Sequence, residues 1–272
     1  MGQQSSVLRD SAMEENVQVV ASPLPLAVVE EIFLNLPAYN VVRDCRLVCR
    51  EWKQLVDSAA LWRERCRREG FEPEATKSPR NWQAFYFLCK NRRNLLKNPI
   101  AEDGVHGWKI IQNGGDMWKI EELPEPLHGR IKKYFVTSYQ RCLKEQLICL
   151  EKEGYSPLLM DEIQPRIIIS DWYAPRWDCG SEYEICVELL NHKKQVIQTF
   201  RPERVYFPQW NDMQWNNVTH AFQDYGPGVR YVRFIHGGKD TQFWAGWYGI
   251  RVTNSSVEIN PAARVSADSA DQ

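Results

Sequence analysis

The apolar residues in the first part of the chain recur at helical spacing. Between residues 26 and 36 they return every three or four positions, and Pro37 ends the run. A second amphipathic helix is predicted over residues 41–56, and a third begins near Leu61 and ends at Gly70. Three helices this short bury only a small core. We therefore expect a partner to complete the segment.

Residues 71–97 combine a loop that contains two prolines with one further amphipathic stretch. One helical face of this stretch carries Trp82, Phe85, Tyr86 and Cys89. A basic aromatic helix can bind RNA, but the same pattern is typical of a helix packed against a domain, and we prefer that interpretation. The prediction is a linker helix.

Beyond residue 98 the pattern changes to short β-branched or alternating segments separated by Gly, Pro, Asn and Asp. Such segments occur at residues 166–169, 183–189, 195–200, 217–222, 229–234 and 248–259. One helical insertion is predicted near residues 153–160. Several strands at this spacing indicate an antiparallel β-sandwich. The predicted fold class is therefore α+β and multidomain, with the helices first.

Charge and hydropathy exclude several classes of protein. The 272 residues include 34 basic and 35 acidic side chains, and the formal net charge of −1 gives no global attraction to nucleic acid or an anionic membrane. No apolar run approaches the roughly 20 residues that span a bilayer, and the N-terminus lacks the pattern of a secretory signal. We expect a cytoplasmic protein that binds no nucleic acid.

Eight cysteines raise the question of disulfides or a metal site. A reducing compartment predicts free thiols, and scattered histidines without any C-x2-C pair argue against structural zinc. Motifs for a serine nucleophile, a phosphate loop or a zinc protease do not occur, and no two carboxylates can be paired as in a glycosidase. We therefore expect a non-enzymatic protein with no catalytic residue, no metal ligand and no cofactor.

The N-terminus matches the pattern M-G-x-x-x-S, with Gly2 followed by Ser6. This is an acceptor frame for N-myristoylation of Gly2 once Met1 is removed. A tail rich in Ser and Gln also produces the pattern by chance, and both interpretations stay open. One myristoyl chain binds membranes only weakly. Lipidation would thus add a weak membrane association to a cytoplasmic protein.

The helical segment resembles an F-box. LPLAVVEEIFLNLP, CRLVCREWKQLV and LWRERC follow one another within residues 22–68, and their combined spacing is far more specific than any one of them. The resemblance implies docking on a Skp-family adaptor, which joins a cullin scaffold and a RING subunit into a ubiquitin ligase. It also implies a set of residues divided between the internal core and the adaptor interface: Leu24, Pro25, Ile32, Phe33, Leu36, Pro37, Leu47, Val48 and Trp52.

The rest of the chain resembles the F-box-associated domain of the sugar-recognising F-box proteins. The motifs that carry this resemblance cover nearly all of residues 94–260 and include NGGDMWKIEEL, KKYFVTSY, GPGVRYVRF and HGGKDTQFWAGWYG. The family implies a jelly-roll-like antiparallel β-sandwich that captures the substrate. Some members bind the inner chitobiose of high-mannose N-glycans.

Aromatic side chains are the candidate sugar contacts. A pyranose ring offers an apolar C–H face beside its hydroxyls, so a sugar site needs an exposed aromatic ring with polar groups around it. Phe243 and Trp244 lie in a glycine-rich stretch, where Gly237, Gly238 and Gly246 are expected to form a tight hairpin that projects them. Adjacent strand residues face opposite sides, so one of the two aromatics is expected to be exposed.

The resemblance adds Tyr139 and Asp178 to the candidate glycan-binding residues Phe243 and Trp244. The binding members have a Y-W-K tripeptide where this chain has Phe243-Trp244-Ala245. Phe243 therefore lacks a hydroxyl and Ala245 lacks a charged donor. Each lost hydrogen bond costs about 0.5–1.5 kcal/mol, and stacking on the rings survives that loss.

Five segments follow from these patterns: a flexible arm (1–20), an F-box (21–70), a linker helix region (71–97), the substrate-binding F-box-associated β-sandwich (98–260) and a disordered tail (261–272). The leading interpretation is a non-catalytic substrate-recognition subunit of an SCF-type ubiquitin ligase. It would bind high-mannose glycoproteins that reach the cytoplasm, for ubiquitination and degradation. The alternative is a receptor that recognises a protein surface without any glycan.

Overall fold

The computed structural model describes residues 24–73 and 78–261. Its helices are α1 (Leu26–Asn35), α2 (Ala38–Arg43), α3 (Arg50–Val56), α4 (Ala59–Glu69), α5 (Trp82–Lys90) and α6 (Pro157–Glu162). Its strands are β1 (Lys109–Asn113), β2 (Lys119–Leu127), β3 (Ile131–Val136), β4 (Cys142–Cys149), β5 (Arg166–Ala174), β6 (Ser181–Leu190), β7 (Val196–Phe200), β8 (Val205–Phe207), β9 (Asn216–Phe222), β10 (Tyr231–Asp240) and β11 (Arg251–Asn260). Two compact units divide the chain, the first ending at Leu61 and the second beginning at Trp62.

The first unit is a small set of helices around an aromatic contact. The rings of Phe33 and Trp52 meet edge to face, with centroids 5.0 Å apart, and Phe33 is fully buried. α1 begins after Pro25, whose fixed φ of −52° suits a helix start. It ends at Asn35, and the next residue, Leu36, is extended because Pro37 disfavours the helical conformation of the residue before it.

The single helix predicted over residues 41–56 is wrong. The segment consists of α2, a 3-10 turn at Cys45–Leu47, and α3. Cys49 interrupts the helical path because its backbone is extended, with φ −154° and ψ 174°. The interruption turns Leu47 and Val48 outward, and they are 76% and 62% exposed.

Local signals explain where α4, α5 and α6 begin or end. α4 is followed by Gly70 in the left-handed conformation, with φ +73°, as the sequence predicts. The Asn81 side chain caps α5 by accepting a hydrogen bond from the Ala84 amide at 2.9 Å. Ser156 caps α6 in the same way, so the insertion predicted near residues 153–160 is a helix that begins at Pro157.

Two antiparallel sheets form the β-sandwich that the sequence predicts. One has the order β1-β4-β10-β6-β7, with β8 also paired to β6. The other has the order β2-β3-β11-β5-β9. The core between them contains buried side chains from both sheets, including Phe135, Ile169 and Val257 from one and Val187 and Phe234 from the other. The sheets are therefore stabilised by a shared apolar layer.

The structure also bears on the predicted free thiols and on metal or membrane binding. All eight cysteines are free thiols. Within the described ranges, no group of three or more His, Cys, Asp or Glu side chains is arranged to hold a metal ion. Over the same ranges, no helix is both long and apolar enough to cross a bilayer.

Trp108 is buried in the core, whereas Trp118, Trp172 and Trp247 are only half-buried.

Candidate functional site

Loops 114–118, 137–141, 175–180, 208–215 and 241–250 meet at one end of the sandwich. Backbone hydrogen bonds join them: Gly114 N donates to Arg141 O at 3.0 Å, Gly249 N to Thr137 O at 3.1 Å, Thr241 N to Gly180 O at 2.9 Å, and Asn211 N to Trp177 O at 3.1 Å. The four predicted glycan-binding residues all lie on these loops. The fold thus gathers positions that are up to 105 residues apart in the chain.

Asp240 organises the loop that carries two of these residues. It is buried at the end of β10, and its carboxylate accepts hydrogen bonds from the amides of Phe243 at 2.7 Å and Trp244 at 3.1 Å. Burial raises the pKa of the Asp240 carboxyl. Because one side chain satisfies two consecutive amides, the backbone beneath both aromatic rings is held in place.

A second set of hydrogen bonds fixes the far side of the same loop. Asp116 Oδ2 accepts from Gly246 N at 2.6 Å, and Asp116 N donates to Ser138 Oγ at 2.9 Å. Ser138 Oγ in turn donates to Gly246 O at 2.6 Å. Gly246 has φ +112°, a conformation that side chains rarely adopt. The 241–250 loop is therefore anchored on both sides of its aromatic residues.

Both aromatic residues of this loop face solvent, whereas the sequence predicts that one of them is exposed. Phe243 is 67% exposed and Trp244 is 40% exposed, because neither belongs to a strand. Phe243 has φ +56°, which is unfavourable for a bulky side chain and is found most often at functional sites. Its ring lies 5.0 Å from that of Tyr139, and the ring of Trp244 meets that of Tyr248 at 5.7 Å.

The expected glycine hairpin is wrong in two of its three positions. Gly237 and Gly238 lie inside β10 rather than in a turn. A Cβ atom on Gly237 would clash with the carbonyl oxygen of Cys142, and one on Gly238 with that of Glu182. These glycines permit close approach between neighbouring strands, while Gly246 is the one that serves the loop.

Asp178 lies on the neighbouring 175–180 loop and is half-buried. Its backbone carbonyl accepts a hydrogen bond from Gln209 Nε2 at 3.0 Å. The adjacent Cys179 is a poor nucleophile, because burial, together with the charge of Asp240, raises the pKa of its thiol to about 11. The loop therefore carries a partly exposed carboxylate, that of Asp178, next in the chain to the exposed Trp177.

The residues that hold the loops, Asp240, Asp116 and Ser138, are not among those that the sequence predicts for the site. Asp240, three positions before Phe243, follows the spacing of a side chain that bonds amides ahead of it in a turn, and this signal was available. Asp116 and Ser138 are 22 residues apart and meet Gly246 only in the folded chain. No local pattern marks them.

The predicted adaptor-binding residues separate by exposure. Leu24, Pro25, Ile32, Pro37, Leu47 and Val48 are exposed, Leu36 and Trp52 are half-buried, and Phe33 is buried. Phe33 therefore belongs to the internal core of its unit, and the exposed set is free to contact a partner. Gly2, the predicted lipidation position, lies outside the described residues.

Comparison with known proteins identifies both units. A family model described as F-box associated region matches residues 86–259, and one described as F-box-like matches residues 22–68. F-box only protein 6 of Bos taurus is 51% identical over 249 residues, which cover 89% of this chain and 94% of the relative. Human F-box only protein 44 is 48% identical, with 88% and 96% covered.

Similarity to solved structures is weaker. The xylan-binding domain CBM22-1 of Paenibacillus barcinonensis Xyn10C aligns with 63% of this chain and 97% of its own length, at 13% identity and a TM-score of 0.38.

The chain belongs to the F-box proteins that carry an F-box-associated region, the family that its sequence motifs indicate. F-box proteins are the substrate-recognition adaptors of SCF-type ubiquitin ligases. The F-box accordingly implies binding to a Skp-family adaptor.

Proposed function

We propose that this substrate receptor binds N-linked high-mannose glycoproteins through their chitobiose core, using the exposed aromatic residues at the end of the sandwich. The observation that carries the proposal is the exposure of Phe243 and Trp244 on a loop whose backbone is anchored by Asp240. Exposed aromatic rings cost free energy in water, and holding them rigid pre-organises a binding surface.

Each residue has a distinct role in this proposal. Trp244 supplies the face on which a GlcNAc ring stacks, and Phe243 with Tyr139 forms an aromatic wall beside it. The carboxylate of Asp178 accepts hydrogen bonds from sugar hydroxyls. Ala245 offers no side-chain donor, so affinity depends more on stacking than on charge.

The first unit serves the same function by a different surface. We assign the adaptor contact to the exposed residues Leu24, Pro25, Ile32, Pro37, Leu47 and Val48, with Leu36 and Trp52 at its margin. The bound glycoprotein is then held near the ubiquitin-conjugating enzyme of the ligase. This proximity raises the effective concentration of its lysines and leads to ubiquitination and degradation. Both events are assigned to the cytoplasm.

Calorimetric titration of the full chain with chitobiose tests the proposal. Trp244→Ala removes the stacking face, so we expect a loss of about 2–3 kcal/mol, or roughly 30–150-fold in affinity. Phe243→Tyr restores a hydroxyl and should bind equally well or better. The matched control is Tyr206→Ala, which removes an exposed aromatic outside these loops and should leave affinity unchanged. Thermal melts confirm that each variant is folded.

The second candidate, a receptor for a protein surface, predicts a different result. Wild-type protein would give no chitobiose signal at millimolar ligand, yet would still capture its substrates after their glycans are removed enzymatically. That combination would reject the glycan proposal. Exposed aromatic residues also serve protein interfaces, which is why this candidate is retained.

A further inference from the structure

A second pair of exposed aromatic residues lies at the same end of the sandwich. Trp177 belongs to the 175–180 loop and Trp210 to the 208–215 loop. Their ring centroids are 4.7 Å apart with planes at 54°, and the two side chains are 51% and 62% exposed. Two large apolar side chains that pack on each other while facing water mark an interaction surface.

The backbone holds this pair in place independently of the rings. Asn211 N donates to Trp177 O at 3.1 Å. The Asn211 side chain donates to Arg176 O at 2.6 Å and to Pro208 O at 2.9 Å. Trp210 has φ +61°, an unfavourable conformation for a bulky residue that this network maintains. The pair is thus a pre-organised feature of the fold.

The pair is continuous with the proposed chitobiose site. The Asn211 side chain also approaches Cys179 O at 3.4 Å, and Cys179 Sγ lies 3.8 Å from Gln242 Oε1. Thr241 N donates to Gly180 O, so the loop of Trp177 is bonded directly to the loop of Phe243 and Trp244. Asp178, a proposed contact of the chitobiose site, directly follows Trp177 in the chain.

We infer that Trp177 and Trp210 form a second saccharide subsite, which binds a mannose ring of the same glycan beyond its chitobiose core. This inference rests on the proposed function. The chemistry around the pair favours a sugar over an apolar polypeptide. Asp178 and Gln209 are the chain neighbours of Trp177 and Trp210, and the exposed Asp212 lies two residues beyond Trp210, so polar groups that can bond ring hydroxyls adjoin the pair. An apolar segment would cover these polar groups without satisfying them.

The test compares two ligands on the full chain: chitobiose and a high-mannose oligosaccharide that contains the same chitobiose. Wild-type protein should bind the longer ligand about tenfold more tightly, since one additional aromatic stacking contact is worth about that factor. Trp177→Ala should reduce this preference to within about twofold while leaving chitobiose affinity unchanged. Tyr206→Ala is the control and should preserve both affinities.

Several results would overturn the subsite. Equal affinities of the wild-type protein for the two ligands would do so, as would a Trp177→Ala variant that keeps the preference. The indole N–H NMR signals of Trp177 and Trp210 provide a second measurement that needs no variant: the longer ligand should shift them and chitobiose should not. If a glycan-free unfolded polypeptide shifts them instead, the pair binds apolar protein. Absence of chitobiose binding by the wild-type protein separately rejects the proposed function and removes the subsite with it.

Discussion

Asp240 is a buried carboxylate that fixes the backbone of an exposed loop. The amides of Phe243 and Trp244 both point at its oxygens, and each would be unsatisfied without them. Residue type and motif predict the aromatic side chains as sugar contacts. They do not predict the joint exposure of these side chains, because that exposure depends on a loop conformation that Asp240 sets from within the fold.

We expect Asp240→Asn to weaken glycan binding without unfolding the sandwich. The amide retains one acceptor oxygen but directs an NH2 group at the second backbone amide, at a cost of about 1–3 kcal/mol for the unpaired donor. Calorimetry should show about tenfold weaker chitobiose binding. Asp224→Asn, at an exposed position, is the matched control. Wild-type affinity in Asp240→Asn would show that the aromatic loop does not depend on this carboxylate.

The sequence pattern predicts the first part of β10 as a strand but not the part that contains Gly237 and Gly238. Its alternation of apolar and polar residues from 229 to 234 predicted a strand, and the strand occupies Tyr231–Asp240 between β4 and β6. Gly237 and Gly238, which continue the strand, predict a turn instead, since two adjacent glycines usually mark one. Here they are required because the carbonyls of the flanking strands approach too closely for any Cβ atom.

Gly238→Ala should therefore destabilise the protein severely. The added Cβ would meet the Glu182 carbonyl, which is part of the β6 backbone and cannot move aside without breaking the ladder. We expect at least about 3 kcal/mol lost from the free energy of unfolding, measured by urea titration. Gly129→Ala, also at positive φ but with open space around its Cβ, should cost only about 1–2 kcal/mol. Similar losses in the two variants would contradict the steric explanation.

β4 is a strand that the sequence pattern does not predict, for a different physical reason. Its inward positions include Lys144 and Gln146, which are buried, so polar residues occupy the face where a strand normally shows apolar ones. β2 is not predicted either, because it contains Pro124 and Pro126 and is mostly exposed at the edge of its sheet. The polar inward face of β4, and the prolines and edge position of β2, thus explain why alternation of apolar residues does not predict these two strands.

At the scale of the whole sandwich, a buried polar network joins the two sheets. Lys144 Nζ lies 2.6 Å from His236 Nε2, and His236 Nδ1 lies 2.6 Å from Asp171 Oδ2. Tyr183 and Ser255 each donate to Asp171, at 2.6 and 2.7 Å. Lys144, His236 and Tyr183 belong to one sheet, and Asp171 and Ser255 to the other. Every member is buried and bonded, so removing one leaves an unpaired polar group in the core.

This network makes the stability of the sandwich depend on pH. Burial lowers the pKa of His236 to about 4 and also lowers that of Lys144, so both neutral forms are favoured in the fold. The unfolded chain binds a proton at its histidine first as the pH falls, because an unperturbed histidine has a pKa of about 6.5. The contribution of His236 to the free energy of unfolding is therefore complete above pH 6.5. It is lost progressively as the pH falls from 6.5 to 4.

We expect His236→Gln to isolate that contribution. The variant should be less stable than wild type at pH 7, because Gln cannot bond both Lys144 and Asp171 in the same geometry. The difference in the free energy of unfolding should shrink as the pH falls from 7 to 4.5, because Gln does not titrate. Urea unfolding at several pH values measures the free energy of unfolding of each protein. Subtracting one from the other cancels the contributions of titratable groups that both proteins share. One of these is His220, whose pKa is also lowered by burial. His192→Gln, at an exposed position, should match wild type throughout. A difference between wild type and His236→Gln that is constant over this range would mean that His236 does not couple folding to protons.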